Sequence, residues 1–213
     1  MVKYINKKED LVMIITIGRE FGSGGRELGR RLSENLGFAY YDKEIITGIA
    51  ERTNLSEEYV HQIVEHKPLI SYPIHIGRSF YPVQDPIMKQ NQEIYSEQHK
   101  IIKEMAEKSD CIIVGRCADY ILKDMNPFKI FVYADMPSKI ERCRKKAPEN
   151  EKLSDKEMAQ EIKKIDKHRA KYYSFYTDLE WGARINYDLM INTSGKDIRK
   201  IASFLTSIIK EKI

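Results

Sequence analysis

Cysteine is scarce in this chain of 213 residues: Cys111, Cys117 and Cys143 form no CxxC pair, and an odd count argues against a disulfide framework. A reducing compartment, the cytoplasm, is the plain expectation. Histidine is also sparse, and His61, His66, His75, His99 and His168 show no spacing suited to a metal. Long apolar runs are missing; the longest lies around Leu11–Ile17, far short of the ~20 residues that span a bilayer. The opening MVKYINKKED is too polar for a signal peptide. A one-sided charge is absent too. Lys and Arg number 36 against 32 Asp and Glu, a net +4 spread along the chain rather than gathered into the basic stripe of a nucleic-acid binder. Neither nucleic acid nor membrane is an expected partner, whereas a small anionic ligand held by a few arginines fits the balance.

What is present is the composition of a folded domain, 42% apolar and 32% charged. A chain of this length buries roughly 70% of its unfolded surface without needing a structural metal. Short β-branched runs alternate with helical periodicity. Strands are expected at Met13–Ile17, Cys111–Val114, Lys129–Tyr133 and Leu189–Asn192. Leu28, Leu32 and Leu36 share one face of a helix over Gly25–Leu36, stopped by Gly37. Further helices are expected at Lys43–Thr53, from a capping box at Asn54–Glu57 to about Lys67, over Ile87–Lys108 and over Ser138–Lys146. Ser154 and Glu157 open another to about Tyr173, and the apolar face from Ile198 to Ile209 marks the last. Strands alternating with helices predict an α/β fold with a mainly parallel sheet. Residues 68–86, with four prolines and no period, read as a functional loop or lobe. Tyr172, Tyr173, Phe175, Tyr176 and Trp181 read mostly as core.

The most informative segment is Gly18–Glu27, GREFGSGGRE, between the first strand and the first helix. Glycines at 22, 24 and 25 allow close backbone approach, and successive N–H groups at a helix N-terminus can converge on an anion. The segment departs from GxxxxGK[ST]: Gly25 stands at the lysine and Arg26 at the hydroxyl. A bare strand-to-helix turn is therefore the alternative to a phosphate loop of Gly22, Ser23, Gly24, Gly25, Arg26 and Glu27. Arg26 is the candidate replacement cation, a fork rather than a point charge. Ser23 and Glu27 are the nearest groups for a metal, although neither stands where the pattern wants one.

Five segments in order resemble the cytidylate kinase-like branch of the P-loop nucleoside monophosphate (NMP) kinases. They are ITIGREFGSGGRELGRRL, YYDKEII, CIIVGRCADYIL, IFVYAD and IDKHRAKYYSFYTDLEWGARINYDLMINTS, from about Met13 to Ser194. The resemblance implies a P-loop NTPase-type parallel sheet of about five strands flanked by helices. It implies one kinase domain with a core of about 11–53, 87–146 and 157–213, an NMP-binding insertion at about 54–86 and a lid at about 147–156. It also implies a kinase that uses ATP and Mg²⁺ and phosphorylates CMP or dCMP. Arg116 and Arg169 would hold the acceptor phosphate, and Asp42 and Asp166 would face its sugar or base. Arg26, Arg142, Arg144 and Arg169 would neutralise the transferring group, and Asp135 would orient Mg²⁺ through water. Each has a plain alternative: a strand-end arginine for Arg116, a surface ion pair for Asp166 and Arg169, a helix cap for Asp42, and a basic helix end for Arg142 and Arg144. Ile162 stands where the family pattern has a first lid arginine, and Cys117 where it has an aspartate. A regulatory nucleotide-binding domain and a kinase for a non-nucleotide acceptor are the other functions the residues allow.

Overall fold

The computed structural model describes residues 12–66, 86–147 and 153–211. Its frame is a sheet of five parallel strands: β1 (Ile14–Arg19), β2 (Ala39–Tyr41), β3 (Cys111–Val114), β4 (Phe128–Tyr133) and β5 (Leu189–Asn192), in the order β2-β3-β1-β4-β5. The central strand β1 pairs Ile14 with Cys111 on one side and Ile15 with Phe128 on the other. Side chains alternate across a strand, so Ile15 and Ile17 face one layer and Ile14 the other. Both layers are apolar, which is why β1 and β3 read as continuous hydrophobic runs.

On one face lie α1 (Gly25–Leu36) and α8 (Ile198–Lys210), which bury Leu28, Leu32, Ile198, Leu205 and Ile209. The other core gathers α2 (Lys43–Thr53), α3 (Glu57–His61), α4 (Pro86–Lys108) and α5 (Ala118–Ile121), with Tyr172 and Tyr173 of α7 (Asp155–Thr177). The remaining helix, α6 (Met136–Lys146), follows β4 and contacts α7. Several boundaries are those expected from sequence: α1 ends on Gly37 at φ 75°, and Ser154 and Glu157 form a reciprocal capping box.

Four expectations need correction. Asn54 does not open a helix; at φ 54° it closes α2, and the cap of α3 is Ser56, whose side chain accepts from the Tyr59 amide. The helix expected to reach Lys67 gives way after His61 to a π-helical turn, Gln62–His66. β2 was not anticipated, because it is three half-buried residues at the sheet edge. α7 continues a turn beyond Tyr173, to Thr177. Of the aromatic set, Tyr172 and Tyr173 are buried and Tyr176 stacks on Tyr95 at 3.9 Å, while Phe175 is exposed. Residues 67–85, most of the expected insertion, and 148–152 of the expected lid lie outside the described residues. Within 54–66, Val60, Ile63 and Val64 belong to the main core.

Candidate active site

In parallel sheets of this kind ligands bind beyond the carboxyl ends of the strands, and there β1 runs into the glycine segment. The Glu20 amide donates to the Val132 carbonyl, and the Ser23 amide to the Glu20 carbonyl at 3.3 Å. Gly22 and Gly24 have φ of 73° and 85°, values that a side chain disfavours. Gly25 is needed for space: a Cβ there would stand 2.5 Å from Arg19 Cβ. The first helical bond runs from the Leu28 amide to the Gly24 carbonyl. Ahead of it, the amides of Gly24, Gly25, Arg26 and Glu27 find no acceptor among the described residues, as a helix start requires. All four residues line a cavity of about 440 Å³. This row of free donors, backed by the helix dipole, suits an anion.

The loop is braced from behind. Asp166 accepts from the Phe21 amide at 2.6 Å and from Lys139 Nζ at 3.0 Å; the same ammonium lies 2.7 Å from Glu20. Lys139 is buried, and its backbone and Cβ lie 3.1 Å from where a Cβ of Gly22 would be. Burial raises the Asp166 carboxyl, opposed by the Phe21 amide and Lys139.

A second cluster adjoins the first. Glu65, on the π-helical turn, is buried among three guanidinium groups. Its Oε1 lies 3.2 Å from Arg19 and 2.9 Å from Arg116, and its Oε2 accepts from Arg169 Nε and Nη2 at 2.9 and 2.8 Å. Burial alone would raise this carboxyl, but Arg116, Arg169 and Arg19 together hold it well below the usual range. Arg116 is brought here by three successive positive φ values, at Gly115, Arg116 and Cys117, a rare conformation for the latter two. Gly115 makes room for Arg19, since a Cβ at 115 would overlap its Nη1. A smaller cavity of about 40 Å³ opens among Arg19, Glu65, Arg116, Arg169 and Trp181. Arg19 and Arg169 line both cavities.

A model of the cytidylate kinase-like family matches residues 14–195. The chain belongs to the cytidylate kinase-like family. No curated protein matches it. Among solved structures, it is similar to an uncharacterized protein from Eubacterium ventriosum (26% identity, 93% of this chain and 98% of that one, TM-score 0.64). It is also similar to shikimate kinases from Bacteroides thetaiotaomicron (13% identity, 93% and 99%, TM-score 0.56) and Acinetobacter baumannii (15%, 96% and 96%, TM-score 0.53). The latter two show the fold alone: a P-loop kinase sheet with its helices. Family and fold together support a nucleotide-binding phosphotransferase.

For a member of this family, the anticipated residues divide into those gathered at the cavities and those elsewhere. Gly22, Gly24, Gly25, Arg26, Glu27, Arg142 and Arg169 line the larger cavity, and Arg116 the smaller. Asp42 is buried against Arg26, with Nε 2.5 Å from its Oδ2, and is the residue preceding α2. Arg142 donates to the carbonyls of Thr193 and Lys196, while its Nη1 is buried with no partner among the described residues. Asp166 faces the loop backbone and Lys139. Arg144 is turned away from both cavities, bonded to Asp155 and the Leu153 carbonyl. Ser23 is fully buried and its hydroxyl donates to the Glu20 carbonyl, so it is turned away from the cavity. Asp135 caps α6 through the Ser138 amide and lines neither cavity. Glu27 is paired with Arg31 at 3.0 Å and Lys146 at 3.5 Å.

Arg19, Glu65 and Lys139 were missed. Arg19 carried a signal in standing last in β1 before the glycines. Nothing local distinguishes Glu65 or Lys139 from the many exposed charges of helices. Among the described residues no group of three His, Cys, Asp or Glu could hold a metal ion. The free amides at 24–27 and the guanidinium groups beside them are donors suited to an anion. No helix of the described residues is long and apolar enough to cross a membrane.

Proposed function

We propose that this chain is a nucleoside monophosphate kinase that moves the γ-phosphoryl of ATP to CMP or dCMP. The observation that carries the reading is the pair of joined anion sites: free amides at 24–27 in the larger cavity, and an arginine cluster in the smaller, with Arg19 and Arg169 common to both. Phosphoryl transfer needs alignment and positive charge more than covalent chemistry. The amides of Gly24 to Glu27 would seat the donor's β-phosphate. Arg26, Arg142 and Lys146, all on the cavity wall, would supply the charge that a P-loop lysine gives elsewhere. Arg116 and Arg169 would clamp the acceptor phosphate. Asp42, beside Arg26, would face the acceptor's sugar. Asp166, by contrast, would act through the loop it braces. Mg²⁺ would enter with ATP and neutralise its phosphates.

One observation favours a second reading, a nucleotide-binding regulatory domain without transfer. Met158, Ile162 and Ile165 give the cavity an apolar wall where the family resemblance leads one to expect an arginine. A coupled assay of ADP formation with ATP, Mg²⁺ and a panel of monophosphates separates the two. ADP formed with CMP or dCMP, and much less with AMP, GMP or UMP, is the expected result. Nucleotide binding without turnover favours the regulatory domain, and turnover only with a non-nucleotide acceptor overturns the acceptor assignment.

A further inference from the structure

The three guanidinium groups of Arg19, Arg116 and Arg169 already hold an anion, and that anion belongs to the protein. We infer that Glu65 is an internal surrogate for the acceptor's phosphate, so that acceptor binding exchanges one anion for another. The inference deepens the proposed function and rests on its placing of the acceptor at this cluster.

The geometry shows why a phosphate can win the exchange. A carboxylate has two oxygens, and Glu65 spends Oε1 on Arg19 and Arg116 and Oε2 on Arg169. Arg116 Nε is left buried with no acceptor among the described residues, a costly state for a charged donor. A phosphate monoester brings a third terminal oxygen and a second negative charge to the same cations. A carboxylate ligand brings neither and would replace like with like. The incumbent is also carried on a π-helical turn rather than on the sheet, a local irregularity frequent at functional sites. Space adjoins it: the cavity of about 40 Å³ lined by Glu65 and all three arginines. Glu65 thereby sets a threshold that favours dianionic acceptors over monoanions.

The sole tryptophan, Trp181, lines that cavity and gives a direct readout. Inorganic phosphate is titrated into wild type and Glu65→Gln while Trp181 fluorescence is followed, and MgATP affinity is measured separately as a check on the glycine loop. If the self-filled form is about 90% populated, removing the competitor lowers the half-saturating phosphate concentration roughly tenfold. A Glu65→Gln protein that keeps its MgATP affinity but binds phosphate no better, or worse, overturns the inference and makes Glu65 a fixed strut. Should that variant fail to fold, Glu65→Asp retains the charge on a shorter arm. A gain of a few-fold is then expected, and no gain overturns the proposal. Phosphate exchange does not depend on CMP turnover. A gain in Glu65→Gln without CMP turnover leaves the inference standing and fails the acceptor assignment; the reverse pattern does the opposite.

Discussion

Two glycines with nearly the same backbone angle isolate the energy of the arginine cluster. Gly37 and Gly115 have φ of 75° and 74°, so alanine at either meets the same left-handed penalty, about 1–2 kcal/mol. Around a Cβ at Gly37 there is nothing within 4 Å. A Cβ at Gly115 would overlap the Arg19 guanidinium, which must then leave a buried position beside Glu65 and Asp42. Breaking a buried ion pair costs about 3–5 kcal/mol when a charge is left uncompensated. Glu65 keeps Arg116 and Arg169, so the lower end applies. Gly115→Ala is therefore expected to cost roughly 4–5 kcal/mol, against a total stability of about 5–15 kcal/mol for an ordinary domain. For a chain of this size that lowers Tm by roughly 8–20 °C, compared with about 2–8 °C for Gly37→Ala. Differential scanning calorimetry of both variants reads the contrast. Equal shifts would refute the claim that Arg19 is locked in the cluster by the absence of a side chain at 115.

Arg26→Ala should weaken ATP binding about tenfold or more, equivalent to about 1.4 kcal/mol, because its guanidinium both lines the cavity and pairs with Asp42; unchanged affinity in a calorimetric titration removes it from the role. Asp166→Asn should raise the KM for ATP and leave that for the acceptor unaltered, since Asp166 holds the Phe21 amide and Lys139; the opposite split would return Asp166 to the acceptor. Acid provides another check. Glu65 is held below its ordinary range, so its contribution to stability is complete above the unfolded glutamate value of about 4.3 and disappears as pH falls through the lower folded value. The stability difference between wild type and Glu65→Gln should be level from about pH 5 to 8 and shrink only below about pH 4.

Much of the architecture was legible because it is written in local patterns. Leu28, Leu32 and Gly37 define α1, the Ser154–Glu157 pair defines the start of α7, and CIIV could only be a buried strand. The glycine loop was legible for the same reason: strand, glycines and helix are contiguous. β2 was not, since three half-buried residues carry no period. Asn54 misled because an Asn before Ser56 fits a helix cap and equally a left-handed helix end, and the backbone took the second. The arginine cluster was only half visible. Glu65 lies 46 residues from Arg19 and 104 from Arg169 along the chain, and no spacing rule connects them. Asp166 was assigned to the acceptor by resemblance, whereas its neighbours here are the Phe21 amide and Lys139. The fold reveals that difference because it decides which side of the loop α7 presents.

The proposed kinase depends on the main-chain donors at 24–27 seating a polyphosphate although no lysine stands at the usual place. Amide ¹H–¹⁵N spectra recorded while MgATP is added test it at the atoms concerned. Large downfield proton shifts are expected at Gly24, Gly25, Arg26 and Glu27, saturating together. Saturable ATP binding that leaves those four resonances unmoved would contradict it.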